Sequence, residues 1–258
     1  MRPARSRAGS EGLMSENPYQ PPESRGVRVS RILPRDLGPV TLWTTIVYSL
    51  EAVSLLSMNS TEILLAQRTG GGPPSPEDLG AMLLGLLYGL SALGFLGLHI
   101  AGVILFSTWI YRANVNTEAL VSSGLEFTPG WAVGWFFVPL ANLYKPYQVV
   151  TELYRASDPE ADPDYWSIAR VPAFLPVWWA SYLGFNVVSN LKSGLVRGPS
   201  KLLLGGWLAF VQCALGLLAI GMVVLITRSI RRLQEEKVRR SRAGEAVSMR
   251  AVGNPLLG

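Results

Sequence analysis

Two ionisable side chains, Glu51 and His99, lie inside apolar stretches of a chain that is 49% hydrophobic and 16% charged. An ionisable group in an apolar helix is costly and tends to face the bundle interior, where it must be protonated, hydrogen-bonded or hydrated. We expect His99 to be an imidazole that packs between helices, and the alternative is a proton relay. Counting residues from the ends of the apolar stretches puts the two at depths that differ by about 15 Å, so we expect them not to meet. We hypothesise that Glu51 shares a hydrogen-bonded cluster with three polar residues at the same depth, Tyr88, Asn186 and Gln212.

A second polar set accompanies the aromatic, proline-containing stretch between residues 106 and 157. Arg and Lys side chains suit phosphate groups, so this set predicts binding of an anionic lipid headgroup or a small anionic ligand. The alternative is that these groups satisfy one another and the broken backbone, as irregular segments in membranes require. The five residues are Arg112, Asn116, Asn142, Lys145 and Glu152.

The composition argues against several other kinds of chemistry. His99 is the only His and Cys213 the only Cys, which argues against a His/Cys metal site, a His-dependent triad or an intrachain disulfide. No nucleophile with a neighbouring base stands out, so we predict no enzymatic activity and no cofactor. Seven Arg lie before residue 36 and eight Lys or Arg after residue 227, a distribution typical of cytoplasmic membrane flanks rather than of nucleic-acid binding.

Four apolar stretches are close to the length that crosses a bilayer, which predicts an all-α, polytopic membrane bundle. The predicted spans are about 40–58, 82–106, 171–190 and 202–227. They lie in a membrane domain of residues 37–230. Residues 1–36 are predicted to form a disordered cytoplasmic arm, and residues 231–258 a basic cytoplasmic tail.

Residues 129–150 are predicted to form a re-entrant element that enters the lipid and returns to the same side. The run 131–138 has no polar face, and Pro139 then ends or kinks its helix part-way into the bilayer. Five spans are the alternative, but that topology would place the eight C-terminal cations outside. We therefore expect four spans, with both termini cytoplasmic in a bacterial inner membrane.

Gly85 and Gly89 lie one helical turn apart in the second span. Small residues at this spacing let another helix approach closely. We expect that helix to belong to the same chain, and the alternative is a homo-oligomer formed through this face.

The stretch W-I-Y-R-A-N-V-N-T-E-A-L, followed by P-G-W-A-V-G-W-F-F-V-P-L-A-N-L-Y-K-P-Y-Q-V-V-T-E-L-Y-R-A-S, resembles the bacterial membrane-protein family called domain of unknown function 4328. The resemblance covers residues 109–157 strongly and implies no particular activity. The positions that match the family motif are Trp109, Arg112, Asn116, Pro129, Gly130, Trp131, Gly134, Trp135, Pro139, Asn142, Pro146, Tyr147 and Glu152.

These patterns predict an integral membrane protein without enzymatic activity, serving as a scaffold or as a binder of lipid headgroups or a small anionic ligand. Membrane lipids are the expected partner. The alternative function is a small transporter or channel component that uses Glu51 and the broken helix, because interrupted helices often build sites within the membrane.

Overall fold

The computed structural model describes residues 33–121, 123–162, 165–195 and 202–252, and the structured part of these ranges is helical throughout. Most of the predicted N-terminal arm and the last residues of the predicted tail lie outside the described residues. The helices are α1 (Gly38–Thr69), α2 (Leu79–Glu118), α3 (Pro129–Gly134), α4 (Lys145–Ser157), α5 (Phe174–Leu195) and α6 (Leu202–Val252), with 3₁₀ turns at Ala141–Leu143 and Trp166–Ile168.

Helices α1 and α2 form a hairpin whose turn is fixed at both ends. Gly70 ends α1 in the left-handed conformation, with φ of 62°. Asp78 caps α2 by accepting a hydrogen bond from the Ala81 amide, and it pairs with Arg68 at 2.8 Å. The hydrogen bonds from Arg68 and from the Ala81 amide lower the pKa of Asp78 to about 2. The cap therefore stays charged throughout the neutral range.

Helix α1 packs against both α2 and α6, and α5 packs on α6. Two glycines make the contact between α1 and α2 close: a Cβ would lie 3.2 Å from Tyr48 if added to Gly102, and 3.2 Å from Ser54 if added to Gly94. The sequence had predicted close helix packing at Gly85 and Gly89 instead, but a Cβ on Gly89 would meet no described atom within 4 Å. A Cβ on Gly85 would lie 3.7 Å from Pro74 in the α1–α2 turn, so packing of this face within the chain stays a prediction beside the homo-oligomer.

Three helices within the described ranges are long and apolar enough to cross a membrane: Gly38–Thr69, Leu79–Glu118 and Leu204–Gly244. Only 11% of the apolar window of α2 is buried inside the protein, so most of its Leu and Ile side chains are exposed on the outside of the bundle, as is compatible with a helix that crosses a membrane. Helix α5 has 22 residues but is not among the three. A fourth span at α5 therefore stays a prediction.

The packed core lies around Trp109 of α2, which has no exposed surface. Its ring stacks on Phe106 with the centroids 6.1 Å apart, and its Nε1 donates a hydrogen bond to Thr41 Oγ1 at 3.0 Å. Phe106 in turn meets Phe136 and Trp178 edge to face. This aromatic cluster joins α1, α2, α5 and the segment that follows α3.

The stretch from the start of α3 to the first turn of α4, residues 129–146, is here called the proline-broken segment. Its helix ends at Gly134, and Leu140 has a positive φ of 65° one residue after Pro139, where the chain turns. The two ends of the segment lie side by side, because Lys145 Nζ is 2.8 Å from Glu126 Oε1 and 5.0 Å from the centre of the Phe127 ring. The two ends of the segment are therefore neighbours in the fold.

Helix α6 continues without a break past residue 230, where a tail was predicted to begin. Its 51 residues span about 76 Å. Ile230, Gln234 and Lys237 in this extension are buried. The extension is therefore part of the packed structure at least as far as Lys237.

Candidate functional site

A cavity of about 250 Å³ lies between α1, α2, α5, α6 and the proline-broken segment. We call it the central cavity. Its wall is mainly aromatic and apolar. The aromatic wall residues are Tyr48, Phe95, Phe106, Phe136, Phe137, Trp178, Trp179, Tyr182 and Phe185, and the polar ones besides tyrosine and tryptophan are Glu51, His99, Ser107 and Asn142 together with Asn186.

Glu51 and His99 form a direct pair in the wall of the central cavity. His99 Nδ1 lies 2.8 Å from Glu51 Oε1, and the imidazole also stacks on Phe95 with ring centres 5.8 Å apart. Glu51 is 2% exposed, whereas the His99 side chain is 46% exposed. The pair therefore joins a deeply buried carboxylate to an imidazole at the edge of the bundle.

The expectation that Glu51 and His99 do not meet is wrong. It placed the ends of the helices at the limits of the apolar stretches, near residues 58 and 82. Helix α1 continues to Thr69, and α2 begins at Leu79. Glu51 is then 18 residues from the turn and His99 is 20, a difference in depth of about 3 Å along antiparallel helices.

The second carboxylate oxygen of Glu51, Oε2, has no hydrogen-bond partner among the described residues. It lies beside Gly102, where an added Cβ would be 3.4 Å away. A buried acceptor without a donor costs about 1–3 kcal/mol. In a residue that lines a cavity, such an atom is free to accept a hydrogen bond from a ligand or a water molecule.

His99 also borders a depression on the outside of the bundle, between α2 and Phe137. This depression and the central cavity share Val103 and Ser107 besides His99 and Phe137. The neighbouring α2 residues Ile100 and Ile104 are exposed apolar side chains. The edge of the cavity at His99 therefore lies next to the apolar outer surface.

The predicted cluster of Glu51 with Tyr88, Asn186 and Gln212 is divided between two cavities. Asn186 lines the central cavity and donates a hydrogen bond to the Tyr182 carbonyl. Tyr88 and Gln212 instead line a second, larger cavity of about 950 Å³ towards the α1–α2 turn. Gln212 there donates to Ser189, and Lys192 pairs with Glu62 at 2.6 Å.

The five residues predicted to bind an anionic ligand have separate partners. Asn116 is fully buried and donates to the Gln234 side chain and to the Arg35 carbonyl. Arg112 is half-buried, with its Nη1 3.4 Å from the Asp36 carbonyl oxygen. Asn142 lines the central cavity. The set does not converge on one described partner.

The remaining two of the five, Lys145 and Glu152, lie at the base of the proline-broken segment. Lys145 pairs with Glu126, and its Nζ also lies 5.0 to 5.8 Å from the centres of three aromatic rings. The Glu152 carboxylate accepts hydrogen bonds from the Glu126 and Phe127 amides at 2.6 and 3.2 Å. These contacts hold the chain that enters the segment against the helix that leaves it.

We expect the stability of the fold to fall as pH rises through the titration range of Glu152. Burial raises the pKa of Glu152, although its two amide hydrogen bonds oppose that shift. Because the pKa of Glu152 is higher in the folded than in the unfolded state, its neutral side chain contributes fully to folding stability below about pH 4.3. That contribution is lost as the folded group ionises at higher pH. The measurement is the unfolding free energy in detergent across this range for the wild type and Glu152→Gln.

The variant should show a flatter pH dependence than the wild type, because its side chain does not ionise. Glu118→Gln, an exposed position at the end of α2, should keep the wild-type slope. Equal slopes for the wild type and Glu152→Gln would contradict this account.

The motif residues form the frame of the proline-broken segment. Pro129 begins α3, and Pro146 lies in the first turn of α4. The Trp131 and Trp135 rings are 5.0 Å apart, and a Cβ on Gly134 would lie 3.2 Å from the Trp131 ring. The other segment positions of the motif are Gly130, Pro139 and Asn142, and Tyr147 follows in α4, where it packs against the core.

Two residues that join elements around the site, Trp179 and Gln234, were missed in the sequence. Trp179 donates from Nε1 to the Leu143 carbonyl at 2.9 Å and so attaches the proline-broken segment to α5. Gln234 donates to the Ala113 carbonyl and to Ser157 Oγ, joining α6 to α2 and α4. A signal existed for Gln234, since it lies four residues after the buried Ile230 and eight after Ile226.

No cluster of three or more His, Cys, Asp or Glu side chains able to hold a metal ion occurs among the described residues. Cys213 is a free thiol, partly buried in α6.

A helical bundle with three apolar helices of bilayer length, closed around a cavity with a buried carboxylate, is typical of a polytopic membrane protein. The model of the family "Domain of unknown function (DUF4328)" matches residues 80–235, and the chain belongs to this family. This match confirms the resemblance seen in the motif. His99 and the proline-broken segment lie within the matched residues, and Glu51 lies before them. No curated protein and no solved structure matches the chain significantly.

Proposed function

We propose that this membrane protein binds a small lipophilic ligand carrying a positively charged amine, in the central cavity. The observation that carries the proposal is the Glu51 Oε2 atom, which is buried, has no hydrogen-bond partner among the described residues and belongs to a residue that lines an aromatic cavity. An ammonium group would donate to Oε2 while His99 holds Oε1. The aromatic rings favour a cation by their quadrupoles and cover the apolar part of the ligand.

The position of His99 supports entry from the lipid. The central cavity meets the outer surface at His99 and Phe137, beside exposed apolar residues of α2. A ligand that partitions into the bilayer would reach the cavity there without crossing the packed core. This route favours an amphiphilic amine over a strongly hydrated ion.

The experiment is equilibrium binding of 2-phenylethylamine to the full-length protein in detergent, with 2-phenylethanol as the uncharged probe of matched size. We expect the amine to bind more tightly than the alcohol. Glu51→Gln should weaken amine binding by about 10- to 100-fold, because a hydrogen bond to a charged group contributes about 1.5–3 kcal/mol.

Glu77→Gln is the matched control, since Glu77 lies exposed in the α1–α2 turn. It should bind the amine as the wild type does. Equal affinity of the wild type and Glu51→Gln for 2-phenylethylamine would refute the proposed site.

We further infer a topology of four spans with both termini cytoplasmic and a re-entrant proline-broken segment. The support is that its ends meet at Lys145 and Glu126, while its middle reaches His99 through Phe137. Two of the cations that this topology puts outside, Arg68 and Lys192, are paired with acids, which lessens their conflict with the positive-inside rule.

Binding of an anionic lipid headgroup at Arg112 and Lys145 is a second proposal. Its support is that the half-buried Arg112 lies one turn before Asn116, which contacts Gln234 in the part of α6 that carries further cations. Lys145 would have to exchange Glu126 for the headgroup, so the geometry favours the central cavity.

An oligomer formed through Gly85 and Gly89 is supported by the open surface at Gly89.

A further inference from the structure

The central cavity and the second cavity are separated by one layer of side chains. Leu55, Phe185 and Gly216 line the central cavity. The second cavity is lined by residues of the same three helices that are three or four positions away from these: Met58, Ser189 and Gln212. One helical turn on α1, α5 and α6 therefore separates the two spaces.

The layer is closed by direct contact at Gly216. A Cβ added there would lie 2.7 Å from Leu55 Cδ2 and 3.1 Å from the Phe185 ring. Leu55 has no exposed surface. The layer formed by Leu55, Phe185 and Gly216, here called the constriction, is therefore too narrow for a solute of side-chain size.

Two buried acceptor oxygens lie on either side of the constriction on α1. Glu51 is four residues before Leu55, and Asn59 is four residues after it. Asn59 is 3% exposed and donates from Nδ2 to the Leu55 carbonyl, while its Oδ1 has no partner among the described residues. Glu51 Oε2 is likewise without one. Both atoms can accept a hydrogen bond from water, the smallest donor that could reach them.

We infer that one proton path joins the two cavities through the constriction, with Glu51 as the relay and the constriction as its narrowest point. A hydrated proton that arrives from one cavity binds the Glu51 carboxylate, forming one O–H bond. That bond then breaks as the proton passes to water on the other side. No co-reactant besides water is needed, and no net charge stays on the protein.

The end of the path in the second cavity also carries groups that can exchange protons. Glu62 lies eleven residues from Glu51 on the same face of α1 and pairs with Lys192 in the second cavity. At the other end, His99 contacts Glu51, and Asn142 of the proline-broken segment lines the central cavity. Polar groups thus follow the path on both sides of its apolar middle.

The experiment measures proton flux into liposomes that contain the full-length protein and an internal pH dye, driven by a potassium diffusion potential. We expect the wild type to exceed protein-free liposomes. Leu55→Ala should widen the constriction and raise the flux at least tenfold. Glu51→Gln should lower the wild-type flux at least tenfold.

Leu56→Ala is the matched control, because it makes the same change one residue along α1 at a side chain that is 46% exposed. It should leave the flux unchanged. If Leu55→Ala fails to reconstitute as a folded protein, Phe185→Ala tests the same constriction from α5, with the same expected increase.

Equal flux through Leu55→Ala, Leu56→Ala and protein-free liposomes would overturn the proton path. The proposed binding function shares Glu51 with this path but is tested separately. Binding of 2-phenylethylamine without any proton flux would overturn the path alone, and proton flux without amine binding would overturn the binding function alone.

Discussion

Replacing His99 by Leu is expected to lower the free energy of unfolding by about 3–5 kcal/mol, because it leaves the Glu51 carboxylate buried with neither oxygen paired. His99 Nδ1 is 2.8 Å from Glu51 Oε1, and the other oxygen already lacks a described partner. At 2% exposure the carboxylate has almost no contact with the surroundings of the protein. The measurement is an unfolding titration in mixed micelles, followed by circular dichroism.

The matched variant is the double substitution His99→Leu with Glu51→Leu. Removing both partners of a buried pair is often close to neutral, because no unpaired charge remains. The double variant should therefore be more stable than His99→Leu alone. If the double variant loses at least as much stability as the single one, the pair is not the cause of the loss.

Replacing Trp109 by Ala is expected to cost about 3–5 kcal/mol of folding free energy, the usual effect of deleting a buried aromatic side chain. Trp109 is fully buried, stacks on Phe106 and donates to Thr41 Oγ1. Its loss would open a cavity where α1, α2 and the aromatic cluster meet. Trp109→Phe keeps a ring and loses the hydrogen bond, so it should cost less.

Trp43→Ala is the control for this prediction. Trp43 lies on α1 and is 57% exposed, so removing it leaves the core intact. Its effect on the unfolding titration should be within about 1 kcal/mol of zero, as for most exposed positions. Similar losses for Trp43→Ala and Trp109→Ala would mean that Trp109 is not central to the packing.

The fold class could be predicted because apolar stretches of bilayer length admit few other structures. In lipid every backbone polar group must be satisfied internally, and a helix achieves this within one segment. The glycine- and proline-rich turn between α1 and α2, and the helix break before Pro139, were equally readable in the sequence. These features depend on local residues alone.

The ends of the helices could not be predicted, since a helix does not stop where its hydrophobicity does. Residues 59–69 are too polar to be counted in a span, yet they continue α1 by three turns. Together with the three residues by which α2 begins earlier than predicted, that extension changes the relative depth of Glu51 and His99 by about 12 Å. The pairing of Glu51 with His99, on which the candidate site depends, was hidden by this one error.

The Asn116–Gln234 contact was unpredictable for a different reason. The residues are 118 positions apart, and their 2.9 Å hydrogen bond exists only because α6 passes beside α2 and α4 beyond the apolar stretch. The cation-rich sequence after residue 227 indicated a solvated tail. Charge composition describes the exposed side of such a helix and gives no information about its buried stripe.

Helix α6 carries the constriction, the central cavity and the buried amide network on one rigid rod. Gly216 belongs to the constriction, Val223 lines the central cavity and Gln234 belongs to the amide network. The first and last are 18 residues apart, or about 27 Å along the axis. Because no break interrupts the helix between them, an occupant that tilts α6 at the central cavity also displaces Gln234. The protein thereby has a mechanical link from the cavity to the buried contacts of Gln234 with α2 and α4.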